Sequence, residues 1–188
     1  MAIVRAQRSR RRTSRLTASH PTLSSTDTGT PVIPFGFGLS YTTWTYTPLP
    51  GPTPPSLAAL AAAADAHAAT GVIGHIPASL KTTAVDFYVN VTNTGSVDSD
   101  DVVLGFLVPP GAGVDGVPLQ ELFGFERVFV PAGQTVTVYL GAQGVHFTQA
   151  GVDGVRRAVG GEYKVRFGVA ETAAHGMGFA EMKLVVSA

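Results

Sequence analysis

The sequence contains no cysteine, and only 14% of its 188 residues are charged. Without thiols the chain forms no disulfide bond and offers no cysteine ligand to a metal ion. A chain of this length still has room for one ordinary domain with a sizeable hydrophobic core. We therefore expect its stability to come from packing and not from covalent or metal cross-links.

Long apolar runs are also missing from the sequence. The Ala-rich stretch from Leu57 to Ala69 is too short to span a bilayer, and it carries Asp65 and His67. We therefore predict no membrane segment and no membrane partner.

Charge is distributed unevenly along the chain, although the formal net charge is zero. Six of the thirteen basic residues are arginines at or before Arg15, and the first acidic residue is Asp27. Beyond residue 30, seven basic residues stand against twelve acidic ones. This balance is not that of a nucleic-acid-binding surface, so we predict no nucleic-acid partner for this part of the chain.

Residues 1–27 are rich in Arg and Ser and poor in large apolar residues, which predicts a disordered tail. A basic, acid-poor stretch is also typical of a mitochondrial or plastid transit peptide. A secretory signal is disfavoured because no apolar core follows the charges. The alternative is that the tail results from an incorrectly assigned start.

The stretch from Val85 to Pro110 organises the rest of the chain. Apolar residues occupy every second position from Val85 to Val91, the period of a strand with one face on a core and one in water. Residues 93–96 interrupt this alternation. The mostly apolar run from Asp101 to Val108 then predicts a strand covered on both faces. We predict that the two strands form an antiparallel hairpin.

Further alternating runs predict more strands. Phe123 to Val130 and Thr135 to Leu140 are interpreted as a second hairpin around a Pro-Ala-Gly turn. Tyr163 to Phe167 and Met182 to Val186 alternate in the same way. About seven strands at this spacing are typical of an immunoglobulin-like sandwich. We predict an all-β fold with two packed antiparallel sheets.

Composition also predicts where the segments of the chain begin and end. Residues 28–47 form a junction segment with the first strand, residues 48–80 a Pro- and Ala-rich insertion, and residues 81–188 the rest of the sandwich. Within the insertion, Ser56 is expected to cap a short helix that stops at Gly71. Because alanine buries little apolar area, we expect this helix to lie on the surface.

Residues 111–116, GAGVDG, satisfy the G-x-G-x-x-G pattern of dinucleotide-binding loops. Such a loop opens a helix, whereas here Pro118 and a β-forming run follow it. We interpret the motif as a loop between strands and predict no cofactor. The five histidines show no ligand spacing, so we predict no metal site either.

Four segments form an ordered set of motifs: PFGFGLSYTTW at 34–44, VNVTNTGSVDSDDVVLGFLVPP at 89–110, LQELFGFERVFVPAGQT at 119–135 and GEYKVRFGV at 161–169. In this order they resemble the C-terminal fibronectin type III-like domain of glycoside hydrolase family 3 and the segment that leads into it. The resemblance implies a fibronectin type III-like sandwich. It also implies a parent exo-glycosidase of the β-xylosidase or β-glucosidase type, located outside the cell or in the cell wall.

Catalysis in this family depends on an Asp nucleophile and an acid/base carboxylate that lie upstream of the segments resembled here. The resemblance therefore transfers no catalytic residue. A retaining glycosidase needs two carboxylates roughly 5 Å apart. We interpret the acidic residues instead as a solvated turn and as outward strand charges: Asp98, Asp100 and Asp101 in the turn, and Glu121, Glu126 and Glu162 on strands.

We therefore predict a non-catalytic module, present as a fragment, whose expected partners are the catalytic domains of such an enzyme. The candidate contact residues are the junction aromatics Phe35, Phe37, Tyr41 and Trp44. Aromatic rings pack on pyranose rings or on a neighbouring domain. The resemblance favours interdomain packing, because this segment borders the catalytic part.

Two further interpretations remain open at this point. The chain could instead be a free-standing carbohydrate- or protein-binding sandwich that uses or hides the junction aromatics. Asn90, in the sequon Asn90-Val91-Thr92, is an acceptor for N-glycosylation if the chain enters the secretory route. The alternation of its strand predicts that the Asn90 side chain faces water.

Overall fold

A computed structural model describes residues 35–69, 76, 78–151, 153–169 and 179–187. The predicted tail, residues 1–27, lies outside the described residues, as does the helix stop at Gly71.

The described residues form nine strands, one α-helix and two short 3₁₀ helices. The strands are β1 (Trp44–Pro48), β2 (Thr83–Asn93), β3 (Ser99–Val108), β4 (Glu121–Val130), β5 (Thr135–Gln143), β6 (Thr148–Ala150), β7 (Arg156–Ala158), β8 (Gly161–Gly168) and β9 (Phe179–Val186). The helix α1 spans Leu57–Ala68, and the 3₁₀ helices span Ala78–Leu80 and Gly144–Phe147. Neither α1 nor any other described helix is long and apolar enough to cross a membrane.

Two antiparallel sheets face each other across the core. One has three strands in the order β1-β2-β5, and the other has four in the order β4-β3-β8-β9. The predicted all-β sandwich is confirmed. A two-stranded ribbon of β6 and β7, which the sequence patterns did not predict, accompanies the two sheets.

The predicted hairpin of β2 and β3 is wrong. Strand β2 pairs with β1 and β5, whereas β3 pairs with β4 and β8, so the chain crosses from one sheet to the other between them. The fully buried side chain of Asn93 holds this crossing. Its Nδ2 donates to the carbonyls of Val97 (2.8 Å) and Val130 (3.0 Å), and its Oδ1 accepts from the Thr42 hydroxyl at 2.5 Å.

The second predicted hairpin is wrong for the same reason. Strand β4 belongs to the four-stranded sheet and β5 to the three-stranded one, so the turn at residues 131–134 also joins the two sheets. Gly133 has a φ of 72° in this turn, a region in which glycine carries no steric cost. The loop that contains GAGVDG joins paired strands, β3 and β4, as predicted.

Alternation correctly predicted which side chains of β2 enter the core. Val85, Phe87, Val89 and Val91 are all buried. At the centre, the Phe87 ring lies 5.2 Å from the Phe123 ring and 6.1 Å from the Phe167 ring, measured between centroids. These contacts join strands from both sheets into one aromatic cluster.

Helix α1 starts as predicted but is not a surface ornament. The Ser56 hydroxyl accepts a hydrogen bond from the Ala59 amide at 3.3 Å, which makes Ser56 the N-cap. Leu60 and Ala64 are buried. Leu57, Leu60 and Ala64 recur at helical spacing on one face, so even an Ala-rich helix presents an apolar stripe to the sandwich.

Candidate functional site

Of the three aspartates in and after the β2–β3 crossing, Asp98 and Asp100 are exposed and Asp101 is not. The Asp98 carboxylate accepts from the Ala132 amide at 2.8 Å, and Asp100 pairs with Arg127 at 2.8 Å. Asp101 is half-buried and accepts a hydrogen bond from the Tyr46 hydroxyl. Burial raises the pKa of the Asp101 carboxyl, against the lowering effect of that hydrogen bond. The interpretation as a solvated turn is therefore wrong for Asp101.

Of the three strand glutamates, Glu121 also departs from the sequence interpretation. It is half-buried, and burial raises the pKa of its carboxyl, while the Arg156 charge lowers it. Glu126 is exposed, and Glu162 pairs with Lys183 at 2.9 Å on the surface, as expected of outward strand charges. In the described part of the chain, no group of three or more potential ligands is placed to hold a metal ion.

The junction aromatics are split between the interior and the surface. The Trp44 ring is buried, and its Nε1 donates to the Ser40 hydroxyl at 3.1 Å. Trp44 therefore packs inside the sandwich, and its ring is not available to a sugar or a neighbouring domain in this structure. Tyr41, by contrast, is 93% exposed. The burial of Trp44 follows from alternation in β1, where Trp44 and Tyr46 face the core, whereas Tyr41 precedes this strand.

Phe35 and Phe37 lie closer to the sandwich than Tyr41 does. The Phe35 ring meets the buried Phe106 ring edge-on at 6.3 Å between centroids, and Phe37 is half-buried. A Cβ built on Gly36 would lie 2.4 Å from Leu104 Cδ1. The start of the described chain therefore lies directly on the outer face of the four-stranded sheet.

The uncovered part of that outer face carries exposed apolar side chains beside the Asp100–Arg127 ion pair, an arrangement that the sequence patterns did not predict. Strand register places Phe125 opposite Leu104 and Val102 opposite Arg127, with Phe129 on the same face. Phe125 is 65% exposed and Phe129 is 57% exposed. We call Val102, Phe125 and Phe129 the β3–β4 face. An exposed apolar cluster of this kind is typical of an interaction surface.

The outer face of the three-stranded sheet carries a different surface, made of aromatic and polar groups. The Tyr88 and Tyr139 rings lie side by side, with centroids 5.5 Å apart, and the Tyr139 hydroxyl donates to the Asp86 carboxylate at 2.9 Å. A cleft of about 370 Å³ adjoins Tyr88, between β2 and the extended segment 49–53. Its lining combines the polar residues Thr53, Asp86 and Tyr88 with apolar residues of the two segments.

Asn90 lies on the same outer face as Tyr88. Its side chain is partly covered, and its Oδ1 accepts from the Thr137 hydroxyl at 2.8 Å. The outward orientation agrees with the alternation of β2. Glycosylation of Asn90 stays a prediction.

The sequence and fold are similar to those of known β-glucosidases. Residues 101–170 match the family model of the fibronectin type III-like domain. The chain is 48% identical over 50 residues to the probable β-glucosidase I of Aspergillus clavatus, and 46% identical over 50 residues to that of Aspergillus fumigatus. These matches cover 27% of this chain and 6% of each relative, so the chain corresponds to a small part of the curated relatives.

Solved structures agree on the fold. The glycoside hydrolase family 3 β-glucosidase of Bifidobacterium adolescentis superposes with a TM-score of 0.53 and 25% identity, covering 81% of this chain and 18% of that one. The β-D-glucoside glucohydrolase of Trichoderma reesei superposes with a TM-score of 0.59 and 20% identity, over 84% of this chain and 20% of that one. The chain thus contains a fibronectin type III-like domain as found in the C-terminal part of glycoside hydrolase family 3 β-glucosidases.

Proposed function

We propose that this chain acts as the non-catalytic fibronectin type III-like module of a glycoside hydrolase family 3 exo-glycosidase, which hydrolyses O-glycosyl bonds in xylan-derived substrates or β-glucosides. The observation that carries the proposal is the 48% identity over 50 residues to a probable β-glucosidase I. The names of the relatives favour a β-glucoside over a β-xyloside as the substrate of the parent enzyme.

The environments of the carboxylates support a non-catalytic role. Asp98, Asp100 and Asp101 are bound to an amide, a guanidinium and a phenol of the sandwich itself. Each of these carboxylates is thus engaged within the sandwich. We therefore assign no catalytic residue to this chain and expect its partner, the catalytic part of the enzyme, to supply both carboxylates.

The exposed apolar side chains support the choice of partner. Leu39 is 87% exposed and Tyr41 is 93% exposed on the junction segment. The β3–β4 face lies on the outer side of the sheet over which the same segment runs. A catalytic domain that bordered the junction segment would cover these side chains and remove their apolar area from water.

A graft tests this role directly. In A. clavatus β-glucosidase I, the region equivalent to residues 35–187 is deleted in one variant and replaced by residues 35–187 of this chain in another. For each variant we measure the hydrolysis of an aryl β-glucoside and the midpoint temperature of thermal unfolding. We expect the deleted enzyme to lose activity or stability and the graft to restore it. The isolated chain should hydrolyse neither aryl β-glucosides nor aryl β-xylosides.

Matched substitutions locate the contact within the graft. Tyr41→Ala should lower its thermal midpoint, because Tyr41 lies on the proposed contact surface. Tyr88→Ala, on the opposite sheet, should leave unchanged the temperature at which the module separates from the catalytic part. A graft as inactive as the deleted enzyme, or hydrolysis by the isolated chain, would contradict the proposed function.

A further inference from the structure

We propose that the outer face of the three-stranded sheet binds a neutral oligosaccharide, with Tyr88 and Tyr139 as a stacking platform and Asp86 as the acceptor for sugar hydroxyls. This surface is separate from the junction aromatics and from the β3–β4 face. The inference does not rest on the proposed function, because the chain can bind a saccharide whether or not it belongs to a glycosidase.

Strand register creates the platform. Tyr88 of β2 lies directly opposite Tyr139 of β5, and both side chains point away from the core because Phe87 and Val89 point into it. Each tyrosine is 47% exposed. The two rings therefore present aromatic area to solvent, with their centroids 5.5 Å apart and their planes inclined by 50°. Rigid aromatic area of this kind gives contact at low entropic cost.

The polar groups around the rings are set for hydroxyl recognition. The Tyr139 hydroxyl donates to Asp86 Oδ1 and so orients the carboxylate. Among the described residues, Asp86 Oδ2 and the Tyr88 hydroxyl have no hydrogen-bonding partner. A carboxylate oxygen beside a phenol offers an acceptor and a donor to neighbouring hydroxyls of a sugar.

The adjoining cleft sets the size of the ligand. The segment 49–53, Leu-Pro-Gly-Pro-Thr, forms one wall, and Ala84, Asp86 and Tyr88 lie opposite. The Leu49 amide donates to the Tyr88 carbonyl at 2.8 Å and anchors this wall to β2. The two prolines of the segment restrict its backbone. The volume of about 370 Å³ is within the range of small-molecule sites.

Charge narrows the class of ligand. Among the described residues that line the cleft, Asp86 is the charged one. A carboxylate repels phosphate and sulfate groups, so nucleic acids and acidic glycans are disfavoured. Stacking area together with hydroxyl-binding groups favours a neutral saccharide of one or two rings in the cleft, continuing across the tyrosines.

Cross-strand aromatic pairs also stabilise sheets without binding anything, by roughly 0.2–1 kcal/mol. A binding experiment on the full chain distinguishes a tyrosine pair that binds saccharide from one that only stabilises the sheet. Calorimetric and NMR titrations with cellobiose, cellotetraose and xylotetraose are made on the wild type, on Tyr88→Ala and on Asp86→Asn. Tyr41→Ala, which removes a more exposed tyrosine on the junction segment, away from the proposed platform, is the control.

We expect the wild type to bind at least one of these oligosaccharides, with NMR shifts at residues 84–90 and 135–141. Tyr88→Ala and Asp86→Asn should each weaken binding by about tenfold or more, whereas Tyr41→Ala should not change it. Thermal unfolding confirms that each variant is folded, and Tyr88→Phe, which keeps the ring, should retain most of the affinity. Absence of binding by the wild type, or loss of binding in Tyr41→Ala alone, would overturn the proposal.

Discussion

The Tyr46 hydroxyl in β1 donates a hydrogen bond to the Asp101 carboxylate in β3, and this polar contact joins the two sheets of the sandwich. Tyr46 is buried and Asp101 half-buried, and burial raises the pKa of both groups. The raised pKa of the Tyr46 phenol means that this group keeps its proton and donates it in a hydrogen bond to the Asp101 carboxyl. The contact ties the edge strand β1 to the opposite sheet.

Tyr46→Phe should destabilise the fold by about 1–3 kcal/mol, because it leaves the half-buried Asp101 carboxylate without its phenol donor. Urea unfolding at neutral pH measures the change. Tyr139→Phe is the matched control, since it removes a Tyr–Asp hydrogen bond from the exposed outer face. The control should lower the free energy of unfolding by less than Tyr46→Phe does. Equal losses of stability in the two variants would show that burial does not strengthen the Tyr46–Asp101 hydrogen bond.

Glu121→Gln should change how stability depends on pH. Burial raises the pKa of the Glu121 carboxyl above its ordinary value of 4.5, so the folded state holds this proton more tightly than the unfolded state. The resulting stabilisation is present at low pH and is lost as pH rises above that value. Relative to wild type, the Gln variant should therefore gain stability between mildly acidic and neutral pH.

Urea unfolding at several pH values checks this prediction. Glu126→Gln, on the exposed part of the same strand, controls for the loss of a negative charge. If the difference between wild type and Glu121→Gln is the same at every pH, the burial of this carboxyl has no energetic consequence.

Gly95→Ala should destabilise the fold by about 1–3 kcal/mol through steric overlap. An added Cβ would lie 2.1 Å from Thr42 Oγ1 and 3.1 Å from the Thr43 amide nitrogen, where the junction segment meets the sheet crossing. Gly38→Ala is the matched control, because no heavy atom lies within 4 Å of its added Cβ. Thermal unfolding of both variants should separate them, and similar midpoints would show that the crossing can move aside.

Asn93→Asp should be among the most damaging single substitutions, with a loss of about 3 kcal/mol. The change preserves shape but replaces the donor Nδ2 with an oxygen, which would face the carbonyls of Val97 and Val130. The control is Asn90→Asp, whose side chain lies on the outer face. Comparable stability of the two variants would argue against Asn93 as the group that holds the crossing.

Periodicity in the sequence predicted which residues of β2 are buried, but on β4 it predicted a core position for Phe125, which is exposed. Periodicity did not predict which strands pair. Residues 93–96 look like a hairpin turn because Asn, Thr and Gly favour tight turns. The same residues serve equally well to carry the chain between sheets. The difference is made by Asn93, whose hydrogen-bonding partners at residues 42 and 130 are distant in sequence.

The candidate binding surfaces were harder to predict than the fold. Tyr88 and Tyr139 each occupy a polar-face position of their strand, so each pattern indicates only an exposed side chain. Their contact depends on the register between β2 and β5, which alternation leaves undetermined. Trp44 shows the opposite case. An aromatic residue near a domain boundary suggests a contact surface, but the alternation of β1 directs the Trp44 ring into the core.

The pairing of β2 with β5 also constrains how the chain folds. On the outer face of these two strands, the hydrogen bond between Thr92 and Thr135 joins residues that are 43 positions apart in the sequence. The hydrogen bond between Asp86 and Tyr139 joins residues that are 53 positions apart. A sheet of such non-local pairs must close large loops before it gains stability, which places folding in the slow, millisecond-to-second class of β-sandwiches. During synthesis from the N-terminus, β2 remains an unpaired strand on one side until residue 143 has left the ribosome.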